Sequence, residues 1–270
     1  MKTDIAEAVR ERYAGAALRV RDGGGCCSGS EVCCAGSHSD QSVSVGLYDA
    51  SQISGLPEEA VLASLGCGNP TALIELREGE TVLDLGSGGG IDVLLAAKRV
   101  GPKGFVFGLD MTDEMLELAQ RNKEAARAAN VAFLRGRIED IPLPSDSIDV
   151  VMSNCVINLA ADKSLVLKEA ARVIKPGGRL AVADVIADGP VPDELRRNLE
   201  SWVGCVAGAL DIDTYPSLLQ SAHFQDISIE IIRRYTADEA GLDTSPLPSG
   251  WQTADGRIAS AFIRARQPSD

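Results

Sequence analysis

Aromatic residues make up only 4% of this 270-residue chain. That is too few for the stacking platform that single-stranded nucleic acid requires. Basic residues are outnumbered, 26 Lys and Arg against 39 Asp and Glu, for a net charge of −13. Neither a nucleic-acid surface nor a surface for anionic membranes fits that balance. No apolar run reaches the ~18 residues of a membrane span. The opening stretch, MKTDIAEAVRERY, is charged and amphipathic, unlike a secretory leader. A cytoplasmic location is therefore expected, with no membrane and no nucleic acid among the partners. Histidine occurs only at His38 and His223. What is present is an ordinary globular composition, 45% apolar and 24% charged, long enough for a core that needs no disulfides. Seven cysteines in a reducing compartment read as metal ligands or reactive thiols rather than a disulfide framework.

Periodicity divides the chain. Ile5, Val9, Tyr13 and Ala17 share one helical face across residues 3–20. Residues 22–55 break the pattern with Gly23, Gly24 and Gly25, many serines, and cysteines 26, 27, 33 and 34. A short helix starts at Pro57. Then TVLDL (81–85), FVFGLD (105–110), VAFLRG, SIDVVMSN (147–154) and RLAVADVI (179–186) read as strands. They alternate with helices over 91–100, 113–129 and 164–174, with Thr112 as the expected N-cap of the second. This alternation predicts an α/β fold with a mainly parallel sheet covered on both faces. Two late strands, 227–235 and 258–266, follow. The expected division is 1–56, a helix and Cys/Gly-rich arm; 57–190, a cofactor-binding core; and 191–270, a helical segment and closing hairpin.

The run Val82-Leu83-Asp84-Leu85-Gly86-Ser87-Gly88-Gly89-Gly90 is a strand entering a glycine turn and then a helix. Such a turn lets backbone approach a ligand where a Cβ would clash. Asp110, ending the next strand, is placed to hydrogen-bond ribose hydroxyls. The Lys-Ser/Thr ending of a phosphate-cradling loop is missing. Asp84 would repel phosphates and suits a cationic amino-acid moiety. In order along residues 78–190, DLGSGGG, GLDMTDEML, IEDIPLPSDSIDVVMSN and LKEAARVIKPGGRLAVAD resemble the motifs of class I methyltransferases that use S-adenosylmethionine. The resemblance implies a seven-stranded Rossmann-like sheet with a reversed last hairpin. It also implies roles: Gly86, Gly88 and Gly90 around the methionine part, Asp110 on the ribose, Met111 beside the adenine, and Ile138 and Glu139 near the adenine edge. Ser87 and Asn154 complete the expected cofactor set.

The cysteines bear on the substrate. Cys67 sits in Gly-Cys-Gly-Asn-Pro before the first strand, Cys155 follows the fourth strand, and Cys205 lies in WVGCVAGAL after the fifth. Ligands of a doubly wound sheet bind outside the carboxyl ends of its strands. Cys155 must lie there, and the segments around Cys67 and Cys205 can fold over it. The plainer alternative is three small buried hydrophobes, the usual fate of free cysteine. Three thiolates with no histidine suit a soft ion. Zinc normally takes a fourth ligand, whereas arsenic(III) is satisfied by three sulfurs and keeps a lone pair. That lone pair carries no proton, so no general base is required.

Residues 65–210 also resemble the arsenite methyltransferases, through LGCGNPTALIELREGETVLDLGSGGGIDVLLAAKRVGP, SNCVINLAADKSLVLKEAARVIKPGGR and WVGCVAGAL. The resemblance implies that Cys67, Cys155 and Cys205 bind arsenic. It also implies an N-terminal cysteine that forms a disulfide with Cys67 during turnover. Cys26-Cys27 and Cys33-Cys34 both offer one, and Cys33 or Cys34 is favoured as nearer the core. The expected function is methyl transfer to arsenite and methylarsenite, with thioredoxin or glutathione as the thiol reductant, by a monomer. Two alternatives stand beside it: a class I methyltransferase for an organic acceptor, and a non-enzymatic thiol protein that binds arsenic or metal, with the CC-x5-CC arm as scavenger.

Overall fold

The structure is a computed structural model that describes residues 2–21, 56–62, 74–196, 206–236, 239–240, 251 and 256–269. Its elements run α1 (Lys2–Arg21), α2 (Glu58–Leu62), β1 (Thr81–Leu85), α3 (Ile91–Val100), β2 (Phe105–Asp110), α4 (Asp113–Ala126), β3 (Val131–Arg135) and β4 (Ile148–Asn154). A 3-10 turn (Ile157–Leu159) leads to α5 (Lys163–Val173), β5 (Ile174–Ala187), α6 (Asp193–Arg196), β6 (Leu210–Asp211), α7 (Thr214–Ser221), β7 (Gln225–Tyr235) and β8 (Ile258–Arg266).

The sheet order is β3-β2-β1-β4-β5-β8-β7. Strands β1 to β5 pair in parallel, and β8 lies antiparallel between β5 and β7. The reversed hairpin is thus the pair of late strands. The two-residue β6 pairs with β5 and brings the sheet to eight strands. Alternation along the strands sorts residues between the faces. Leu83, Leu85, Val151, Leu180, Val182 and Ile263 meet Val166, Leu167 and Ala170 of α5 and Leu219 of α7. Val82, Val106, Val150, Met152 and Phe262 meet Val93, Ala96 and Val100 of α3. Apart from the alanines, each such side chain contributes about 1.5–3 kcal/mol by leaving water.

Some boundaries differ from the sequence reading. Helix α4 stops at Ala126, before the expected 129, because Arg127 takes a left-handed φ of 51° and its N–H turns back to Glu124 and Lys123. Thr112 stands at the N-cap position, but its side chain makes no capping bond. Its hydroxyl serves the Asp110 carboxylate instead. Strand β5 starts five residues before the expected 179, with a register shift between Ile148 and Val150 on its partner β4.

Helix α1 buries the face read from the sequence. Ile5, Val9 and Ala17 are buried. Ala17 packs on Met115 and Leu118 of α4, while Ile5 and Val9 pack in a cluster that includes Cys155 and Leu159. The helix therefore lies across the carboxyl ends of the strands. No helix among the described residues is long and apolar enough to cross a membrane.

Candidate functional site

A cavity opens at the carboxyl ends of β1, β2 and β4. Its floor is the turn after β1, where Gly86, Ser87, Gly88 and Gly89 line it. Gly86 has φ +68°, and a Cβ there would stand 2.5 Å from the Val156 side chain. Only glycine serves both demands. The turn is anchored to the next strand: Asp110 accepts from Gly88 N at 2.9 Å through Oδ2 and from Thr112 N at 2.8 Å through Oδ1. The Thr112 hydroxyl and the Met111 N–H also serve this carboxylate, so its position at the cavity edge is fixed from several sides.

Gly90 does not line the cavity. It is the left-handed first residue before α3, and a Cβ there would meet the Phe133 ring at 2.8 Å. Its part is close helix–strand packing. The remaining expected cofactor residues, Asp84, Ser87, Asp110, Met111, Ile138, Glu139 and Asn154, all line the cavity.

Acid dominates the walls. Among the described residues, Asp84, Asp92, Asp110 and Glu139 line the cavity with a single base, Arg137, which pairs with Glu139 at 3.2 Å. Burial, with the charges of Asp92 and Asp110, pushes the Asp84 carboxyl well above the usual range. Burial also raises Asp110, against the pull of its N–H donors. Buried acids facing one cavity are stabilised by a cationic occupant. The donor set fits S-adenosylmethionine, which carries an ammonium and a sulfonium.

Asp92 was missed in the sequence reading. As the second residue of an amphipathic helix it looks like a first-turn acid favoured by the helix dipole. The structure shows it 5% exposed and accepting from Asn154 Nδ2 at 3.0 Å. Ala6, Val9 and Tyr13 were missed as well. They place α1 along one side of the cavity.

Beyond β4 the chain turns sharply. Cys155 has φ +58°, is 3% exposed, and donates its N–H to Ala183 O of β5 at 2.8 Å. Its neighbours Asn154 and Val156 both line the cavity. Around the sulfur-bearing residue gather Ile5, Val9, Leu159, Val185, Val206 and Trp251. The sequence reading takes Cys155 as a thiolate; in this structure it is disulfide-bonded. Cysteines 26, 27, 33, 34, 67 and 205 lie outside the described residues, as does His38. Among the described residues there is no cluster of three or more His, Cys, Asp or Glu able to hold a metal ion. His223 is exposed at the end of α7 with φ 65°, a turn residue.

Residues 76–223 match the family model described as a methyltransferase domain. The chain is 33% identical to the crystallised arsenic(III) S-adenosylmethionine methyltransferase of Chlamydomonas reinhardtii, with a TM-score of 0.65, covering 81% of this chain and 72% of that one. The chain belongs to the arsenic(III) S-adenosylmethionine methyltransferase family.

Curated members of the family extend the match. The arsenite methyltransferase of Halobacterium salinarum is 44% identical over 97% of this chain, and the human one 41% identical over 57%. The chain spans 66% and 43% of the lengths of those two relatives. The glycine turn, the Asp110 anchor and the turn at Cys155 all fall inside the part of this family member that matches the methyltransferase model.

Proposed function

We propose that this protein is an arsenite methyltransferase that transfers methyl groups from S-adenosylmethionine to cysteine-bound arsenic(III). One observation carries the reading: Cys155 sits in a left-handed turn between two residues, Asn154 and Val156, that both line the acid-walled cavity. A thiol fixed there presents a soft ligand beside a cationic methyl donor.

S-adenosylmethionine, when bound, supplies an electrophilic methyl that the arsenic lone pair takes in a direct displacement, leaving S-adenosylhomocysteine. The chain's own residues position the partners. Gly86 and Gly88 lie along the methionine part, Asp110 takes the ribose, and Met111, Ile138 and Glu139 flank the adenine. Asp84, Asp92 and Asn154 receive the cationic end. Cys67, Cys155 and Cys205 hold arsenic through sulfur, for which its affinity is high. Val206, next to Cys205 in the chain, packs in the same cluster as Cys155 and supports that grouping. Holding both reactants accounts for most of the rate gain.

Each transfer formally oxidises arsenic from As(III) to As(V). Two electrons from a protein dithiol restore As(III) and leave a disulfide, which an external thiol such as thioredoxin or glutathione reduces. Cys67 with Cys33 or Cys34 is the pair in this reading. A disulfide at Cys155 blocks its thiolate, so reduction must precede arsenic binding.

The test incubates reduced protein with S-adenosylmethionine, arsenite and a thiol, and measures S-adenosylhomocysteine together with arsenic speciation. Arsenite-dependent product is expected, lost in Cys155→Ser and Cys205→Ser. Turnover that persists in either variant would overturn the thiol site. Turnover with an organic acceptor and none with arsenite would overturn the substrate.

A further inference from the structure

Behind the Cys155 turn lies a group of buried polar side chains that the transfer reaction does not use. Asn158 and Asp184 are fully buried, as is Tyr215. Asn158 donates through Nδ2 to Asp184 Oδ1 at 2.8 Å and to Val185 O at 2.6 Å, and Val185 N donates to the same Asp184 oxygen at 2.9 Å. Tyr215 feels the Asp184 charge. Among the described residues, Asn158 Oδ1, Asp184 Oδ2 and Tyr215 Oη are buried without a hydrogen-bond partner. Buried polar groups left partly unsatisfied lower stability, and an apolar cluster of the same shape would do better. Burial also drives Asp184 up to about 7, with the Lys163 charge opposing it.

The placement supplies the reason for keeping them. Cys155 N bonds Ala183 O, and Asp184, the next residue of β5, holds Asn158 three positions further on. The segment from 155 to 158 is thus stapled twice to consecutive residues of one strand. Between the staples Cys155 adopts φ +58°, which a non-glycine residue holds only when its surroundings impose it.

We propose that Asn158 and Asp184 form a buried polar clamp that positions Cys155 for arsenic without itself lining the cofactor cavity. Asn158 and Asp184 do not line that cavity. They are positioning residues that act through the turn. The proposal rests on the reading of Cys155 as an arsenic-binding thiol.

The test uses full-length reduced protein. Arsenite binding is followed by the near-ultraviolet absorbance of arsenic–sulfur bonds, and S-adenosylmethionine binding by calorimetry. Asn158→Ala and the isosteric Asn158→Asp are expected to weaken arsenite binding at least tenfold. Affinity for S-adenosylmethionine should stay within twofold. Asp184→Asn keeps an acceptor for Asn158 and Val185, and should stay within threefold of wild type for arsenite. Where Asn158→Ala does not fold, Asn158→Asp decides, and Asn158→Ser after it. A folded Asn158 variant with wild-type arsenite affinity would overturn the clamp, as would equal losses on both ligands. Cys155→Ser separates the two claims. If it binds arsenite normally the thiol reading fails, and if it does not while the Asn158 variants do, only the clamp fails.

Discussion

Asn154 at the end of β4 donates through Nδ2 to Asp92 Oδ2 at the start of α3, across 3.0 Å. The bond ties two adjoining walls of the cavity and aims one Asp92 oxygen. Asp92 is the acid that sequence reading left out, and it faces the same space as Asp84. Asp92→Asn removes the charge but retains the shape. Its affinity for S-adenosylmethionine should fall about tenfold, the ~1.4 kcal/mol that a charge-assisted contact supplies over a neutral one. Calorimetric titration of the variant checks this, and an unchanged affinity would remove Asp92 from the site.

Gly86 offers a two-part test. Gly86→Ala places a methyl 2.5 Å from Val156 at φ +68°. Crowding and backbone strain together should cost about 2–4 kcal/mol in chemical denaturation. Adding Val156→Ala relieves the crowding and not the strain, so the double variant should regain part of the loss. Simple additivity of the two substitutions would show that the contact does not matter.

Asp184 makes stability depend on pH. Its folded value of about 7 lies above the unfolded value near 4, so the folded state holds the proton more tightly between those limits. Stability therefore falls as pH rises through that window. Asp84 and Asp110 are shifted in the same direction, and the comparison must be made against Asp184→Asn. The variant should lose less stability than wild type between pH 5 and pH 8, by on the order of 1–4 kcal/mol. Urea unfolding at both pH values measures it, and parallel curves would rule out the titration.

The arm cysteines should divide the reaction. Inorganic arsenite has three positions for sulfur and monomethylarsenite two, which in the proposed function fall to Cys155 and Cys205. Cys33→Ser with Cys34→Ser should impair methylation of arsenite while leaving much of that on monomethylarsenite. Cys26→Ser with Cys27→Ser should do less. Assays of both double variants on both substrates decide it, with equal losses counting against a division of labour.

Short apolar strands were the most legible part of the fold. TVLDL, FVFGLD and IASAFIRAR are apolar runs bounded by turn residues, and their limits match the structure. Strand β5 was harder, because its first residues, Ile174-Lys-Pro-Gly-Gly, carry turn chemistry yet continue the strand. The glycine turn and Asp110 were readable because their chemistry is local. Gly90 was misplaced because the signal that glycine is needed does not say whether a ligand or the Phe133 ring approaches. The apolar face of α1 was visible in its spacing, but what it covers was not. Periodicity reports that a face is buried, and only long-range packing chooses the partner. The same holds for Asn158, Asp184 and Tyr215, which lie far apart in the chain and share no motif.

Helix α1 is fastened to the rest of the molecule by side chains, through Ile5, Val9 and Ala17, while the sheet beneath is laced by backbone ladders. These fastenings open at different free energies. Amide protons of α1 should exchange with solvent well before those of β1 and β4, and a bound ligand under Ala6, Val9 and Tyr13 should slow the helix selectively. Access to the cavity is thereby a local event. One wall of the cavity can thus open while the sheet that carries Asp110 and Cys155 stays intact.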